Sequence, residues 1–180
     1  MARGACNEAE IGKIQMLFNQ AKISTSFRRT TTAAKQCLKR TGHTSSAIEL
    51  EDGTIVTAHS SNLLGCSAAL LLNVTKHLAG IDHEKNLIPQ SMIEPIQYTK
   101  INYLGGHNPR LHTDEVLIAL SISAVTNPTA ELAMEALASL RGSQVHSSVI
   151  LSSVDEGMFK RLGMNVTFEP VYQSHTLYHK

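Results

Sequence analysis

The residues best suited to chemistry lie in one run, Gly105 to Leu120, where a loop broken by glycine and proline leads into an apolar helix start. Asn108, Arg110, His112 and Thr113 form a candidate anion site there. Arg110 is the bidentate donor, Thr113 and the free amides of the helix start stand beside it, and His112 is the proton donor. Asp114 and Glu115 compete for the same positive helix end. The alternative is a self-contained loop, in which Arg110 pairs with one of these acids while Pro109 fixes the turn. A second candidate follows His59: Ser60, Ser61 and Asn62 precede Leu63-Leu64-Gly65-Cys66-Ser67, a helix start rich in small residues. Backbone amides in such a loop can approach a phosphate or carboxylate. The same residues equally suit a plain Ser or Asn cap, with Gly65 and Ser67 permitting close packing of helix on sheet.

Other chemistries lack their residues. Zinc deamination needs H-x-E or C-x-E followed by P-C-x-x-C, and no histidine or cysteine here fits that pattern. His112 and Glu115 are three apart at a helix start, but without a third ligand they read as a cap and a surface acid, and no metal is assigned. G-x-S-x-G is absent, and Cys66, between Gly65 and Ser67 in an apolar helix, reads as a small buried residue. His77 and His146 sit in apolar helix and strand patterns and are expected to be hydrogen-bonded core histidines. Neither a reaction type nor a cofactor is assigned.

Positioning those loops requires a particular set of elements. Ile11, Ile14, Leu17 and Phe18 mark one face of a helix over residues 8–22. Ser24 is expected to cap a second helix, residues 25–41, weakened by Thr30 to Thr32 and stopped at Gly42. Ala47 to Leu50 and Thr54 to Ala58, joined through Asp52-Gly53, read as a β-hairpin. Leu63 to Ala79, apolar almost all round and closed by Gly80, belongs under a sheet. Helical spacing follows over residues 89–104, with Pro95 marking a break or a fresh start. Thr113 is expected to cap a helix to Val125, and Asn127-Pro128 to open one that Gly142 ends. Val145 to Leu151 reads as a buried strand, Asp155 to Leu162 as a short helix closed by Gly163, and Asn165 to Glu169 as a final strand.

Four strands and several helices in mixed order predict an α/β class fold, a three-layer sandwich with a small mixed sheet. The order resembles the cytidine-deaminase-like architecture, a likeness of fold that carries no chemistry by itself. Residues 1–43 read as a helical leader, a hairpin of two helices, and residues 44–180 as the α/β domain. At 180 residues and 42% hydrophobic content, one domain with a sizeable core is expected. Sixteen Lys and Arg against fifteen Asp and Glu leave a net charge of +1, and only 4% of residues are aromatic, so neither nucleic acid nor an anionic membrane is expected as a partner. Cys6, Cys37 and Cys66 form neither an even disulfide framework nor a C-x-x-C pair, which predicts a reducing cytoplasm. No stretch approaches the apolar length of a membrane span.

From Ile48 onward the chain resembles the C-terminal part of an uncharacterised, mainly bacterial family, domain-of-unknown-function family 1846 (uncharacterised protein family 0371). The resemblance is carried by Ala47 to Leu50 with Asp52 to Thr57, Leu63-Leu64-Gly65 with Leu70 to Asn73, and Lys76 to Ile81. It continues through Ile93 to Gln97, Asn108 to Leu120, Thr126 to Thr129, Leu140-Arg141-Gly142, Glu169 to Tyr172, and Leu177 to Lys180. The resemblance implies longer relatives whose N-terminal part contains a Gly-rich loop similar to a phosphate-binding loop. No glycine of this chain fits G-x-x-x-x-G-K-[S/T], so nucleotide binding does not transfer onto these residues. It further implies a fragment, a split gene product or a degenerate remnant, with the helical leader belonging to a neighbouring domain in longer relatives.

Two functions follow as expectations. In the first, the chain is the C-terminal module of a larger protein and contributes the wall Ser60 to Asn62 and Arg110 to Thr113 to a phosphate- or nucleotide-type anion site. In the second, it is a non-catalytic structural or oligomerisation module, associating with a missing N-terminal region or with itself.

Overall fold

Asp52 and Gly53 make the tight turn of the hairpin. Gly53 takes φ +82°, which glycine alone adopts without strain. The Asp52 carboxylate accepts the Thr54 amide at 2.8 Å, a bond that also holds its pKa below the usual carboxylate range. On either side run β1 (Ser45–Glu49) and β2 (Ile55–His59), antiparallel, with Ile48 opposite Val56. The computed structural model describes residues 7–173. Among them, β3 (Gln144–Ser147) pairs antiparallel with β1, and β4 (Asn165–Phe168) pairs parallel with β3, giving a mixed sheet ordered β2-β1-β3-β4.

Strand alternation sends successive side chains to opposite faces. Ser45 donates to the Ala34 carbonyl at 2.6 Å, and Arg29 reaches Glu49 at 2.7 Å, so this face of β1 meets α2 (Arg29–Thr41). Ile48, with its cross-strand neighbours Val56 and Val145, joins Leu70, Leu71 and Val74 of α3 (Cys66–Leu78) and Phe159 of α7 (Ser153–Arg161) in one core. A second core gathers Leu87, Ile93, Leu111, Val116, Leu120 and Ala130. It is built from α4 (Gln90–Asn102), α5 (Thr113–Ala124) and α6 (Pro128–Glu135). The chain is therefore α/β, with seven α-helices and one small mixed sheet among the described residues. No helix there is long and apolar enough to cross a membrane.

Several elements depart from expectation for local reasons. The second helix is split: a 3₁₀ turn at Thr25–Phe27 precedes α2, and Ser24 bonds Ser26 through its hydroxyl rather than capping. α1 (Glu8–Ala21) has no buried residue, whereas α2 packs on β1 and β2. The apolar helix expected from Leu63 starts at Cys66, because Leu64 is extended in a parallel bridge to Leu111. Pro95 neither breaks nor restarts α4. It forfeits one bond, to the Ser91 carbonyl, and both residues are exposed so that water can serve instead. The third strand ends at Ser147, where the chain turns. His77 is exposed, not buried. His146 is a buried hydrogen-bonded histidine, with Nδ1 2.9 Å from Thr167 Oγ1 and Nε2 3.2 Å from Glu169. Cys37 and Cys66 are buried free thiols, and Cys6 lies outside the described residues, as does the tail from 174 to 180.

Candidate functional site

The two loops singled out from the sequence are joined edge to edge. Leu111 N–H donates to the Leu63 carbonyl at 2.9 Å and Gly65 N–H to the Leu111 carbonyl at 3.1 Å. Arg110 Nε donates across the seam to the Ser61 carbonyl at 2.7 Å. A Cβ at Gly65 would meet the Leu111 carbonyl oxygen at 3.5 Å, ordinary van der Waals contact, so the close approach of the two strands does not itself demand glycine. The junction sets the N-termini of α3 and α5 side by side.

Each candidate residue has a defined place. Ser60 is buried and accepts a hydrogen bond from Thr44 Oγ1 at 2.9 Å. Ser61 is exposed, and its Oγ accepts the amides of Leu63 and Leu64, a local turn that leads the chain toward α3. The exposed Asn62 offers its carbonyl to Gln97 Nε2 at 3.0 Å. Asn108 is buried and its Oδ1 accepts the Arg110 amide at 3.1 Å, another turn of the same kind. Arg110 makes its described contact with a carbonyl rather than with Asp114 or Glu115. Glu115 is instead taken by Lys100 Nζ at 2.7 Å and by the His112 amide at 2.7 Å, and Lys100 also donates to the Arg110 carbonyl.

Thr113 is not the cap of α5. His112 stands at the N-cap position with extended backbone, and Thr113 is the first helical residue, fully buried. The Thr113 amide is satisfied from a distant part of the chain by Asp155, whose Oδ1 accepts it at 3.0 Å. Asp155 Oδ2 also lies 3.0 Å from His112 Nδ1 and accepts from Ser152 Oγ at 2.8 Å. A carboxylate is thus already set at the positive end of α5, where the dipole favours it. The hydrogen bond to Asp155 raises the His112 pKa, outweighing its burial. Burial pushes Asp155 up, but the His112 bond and charge, the Thr113 amide and the Ser152 hydroxyl together hold it below the ordinary carboxylate value.

Ser46 and Ser147 face each other across β1 and β3, and Cys66 at the start of α3 meets Ser147. Cys66 Sγ is 3.9 Å from Ser147 Oγ, and burial raises the thiol pKa, so it is a weak hydrogen-bonding group rather than an activated nucleophile. Ser46, Ser67 and Thr113 are all buried, and their hydroxyl oxygens meet no partner among the described residues. Gly65 at the N-cap of α3 has no side chain to offer the first-turn amides. Among the described residues no group of three or more His, Cys, Asp or Glu is placed to hold a metal ion.

Asp155 is the residue that sequence reasoning missed. Its role depends on a contact 42 residues away from Thr113. One local signal was present: Ser152-x-x-Asp155 is a helix-start pattern, and Ser152 Oγ does accept the Asp155 amide at 3.0 Å.

Fold and junction together define an α/β module in which the start of α5 is closed by the chain's own carboxylates while that of α3 has no side-chain cap. The chain matches, over residues 26–178, the family model described as "Domain of unknown function DUF1846, C-terminal", and it belongs to that family. It is 51% identical over 168 residues to a UPF0371 protein of Corynebacterium urealyticum, covering 93% of this chain and 34% of that protein. UPF0371 proteins of Streptococcus pyogenes serotypes M5 and M3 are 46% identical over 173 residues, 96% of this chain and 35% of theirs. The chain spans about a third of the length of the curated relatives it matches.

Proposed function

We propose that this chain serves as a non-catalytic structural and assembly module, the C-terminal α/β unit of a larger family protein. One observation carries the reading: Ile118, Ile122 and Val125, spaced to lie along one side of α5 and its C-cap, are 60%, 56% and 81% exposed. The adjoining α6 adds Leu132 at 51%. A stripe of this kind marks an interaction surface on a soluble domain. Its proposed occupant is the region that makes up the other two thirds of the longer relatives. The polar candidates fit the same reading, because Ser61, Asn108, Arg110, His112 and Thr113 each spend a hydrogen bond on holding the α3/α5 junction. With α2 on one face of the sheet and α3 and α7 on the other, the arrangement supports a three-layer sandwich of the cytidine-deaminase-like kind.

The test is sedimentation velocity of the purified chain, alone and mixed with the Corynebacterium urealyticum relative truncated before its matching third. A one-to-one complex that Ile118→Lys with Ile122→Lys abolishes is expected. Self-association instead would make a second copy the occupant. A monomer that binds nothing overturns the reading.

A second reading, a wall of a phosphate- or nucleotide-type anion site, is favoured by the unpartnered hydroxyls of Ser46, Ser67 and Thr113 beside the uncapped start of α3. It predicts that inorganic phosphate raises the melting temperature of the chain and that Arg110→Ala removes the effect. No shift in either protein contradicts it.

A further inference from the structure

On the α2 side of the sheet, away from the α3/α5 junction, a cavity of about 380 Å³ opens beside β4. Its walls are apolar, with Phe18, Ile23, Phe27 and Phe168 around it, and its floor is polar, with Arg28 and His146. That volume and that mixture of a mostly apolar lining with a few convergent polar groups are typical of small-molecule sites.

The guanidinium of Arg28 is the informative group. Its Nη2 donates to Gln144 Oε1 at 2.8 Å and to the Asn165 carbonyl at 3.1 Å, which fixes the side chain against β3 and β4. Its Nε–H is buried and meets no acceptor. Among the described residues it has no ion pair. Glu49, the carboxylate that acts on it through space, is 2.7 Å from Arg29 instead. The acid that lines the cavity, Glu169, is shared by Lys35 Nζ at 2.9 Å and His146 Nε2 at 3.2 Å. Burial lowers the pKa of Arg28, and it lowers that of His146 despite Glu169, so the floor presents one partly desolvated cation and a neutral imidazole. A partly desolvated cation without a contacting anion is costly, and a carboxylate placed beside it relieves that cost.

We infer that this cavity is a binding site for a small carboxylic acid with a flat apolar body, the carboxylate beside the Arg28 guanidinium and the body among Phe18, Phe27 and Phe168. This site is separate from the α5 stripe and from the α3/α5 junction, so it stands or falls independently of the assembly reading.

The probe is phenylacetate, titrated into the full chain with backbone amide shifts followed by NMR, against phenethyl alcohol, its neutral analogue. Shifts are expected at Phe27, Arg28 and Phe168, with the alcohol weaker by about ten-fold or more. Thr25→Trp, at the exposed rim, fills the cavity without touching the core and is expected to abolish both responses. Arg28→Gln is expected to remove the preference for the acid while leaving alcohol binding. If Arg28→Gln fails to fold, Thr25→Trp and the acid-to-alcohol comparison still decide. Equal affinity for the two compounds, binding unaffected by Thr25→Trp, or no saturable shift at these residues overturns the inference.

Discussion

Replacing Asp155 by alanine tests whether a side chain from α7 closes the start of α5. The buried carboxylate holds three donors at once, the His112 ring, the Thr113 amide and the Ser152 hydroxyl. Removing it leaves the Thr113 amide without the acceptor it has in the interior and breaks the bond to the His112 ring. A hydrogen bond to a charged group contributes about 1.5–3 kcal/mol, and such bonds do not add when they share one acceptor. Breaking a buried pair from one side costs about 3–5 kcal/mol, which is the magnitude expected here. For a chain of this size that lowers the melting temperature by roughly 6–20 °C. Asp155→Asn keeps an oxygen for Thr113 and removes only the charge, at about 2 kcal/mol. The pH dependence has a definite sign. The lowered pKa of Asp155 gives stability that is present above the ordinary carboxylate value and lost as pH falls through the native one. The raised pKa of His112 gives stability that is full below about 6.5 and lost as pH rises through its native value. The difference between the parent and Asp155→Asn is therefore largest between about pH 4 and 6.5 and shrinks on both sides. Urea unfolding across that range is the assay. A loss below about 1 kcal/mol for Asp155→Ala, or a difference from Asp155→Asn that does not change with pH, refutes the reasoning.

Three further outcomes are expected. Phe159→Ala empties a fully buried site between α7 and the sheet and should cost about 3–5 kcal/mol in urea unfolding. Gly106→Ala should destabilise by more than about 1 kcal/mol, because its Cβ would stand 2.9 Å from the Lys100 carbonyl oxygen, which is backbone and cannot swing aside. Lys100→Met removes the one amine bridging Glu115 and the Arg110 carbonyl, and a loss of about 2 kcal/mol is expected by thermal unfolding, since that amine is largely buried.

Much of this fold was legible from local signals. Asp52-Gly53 marked the hairpin, Asn127 did cap α6 through its side chain, with Pro128 next, and Gly42, Gly142 and Gly163 did take positive φ at element ends. What local signals missed were consequences of distant pairing. Leu64 is apolar enough for a helix, yet its bridge to Leu111 keeps it extended, and nothing near residue 64 announces residue 111. Thr113 has the right side chain for a cap, but Asp155 supplies that acceptor and frees the threonine to be buried. Arg110 was placed in the right loop, and the chain brought that loop to Ser61, but the donor turned to a carbonyl rather than to an acid. His77 lies on a face of α3 that periodicity alone did not separate from the buried one.

The most direct test of the assembly reading is the mass of the chain in solution with the truncated Corynebacterium urealyticum relative, before and after the α5 stripe is changed. A one-to-one complex lost in Ile118→Lys with Ile122→Lys, the fold itself unchanged by circular dichroism, is the predicted result. Monomers that remain separate at every concentration contradict it.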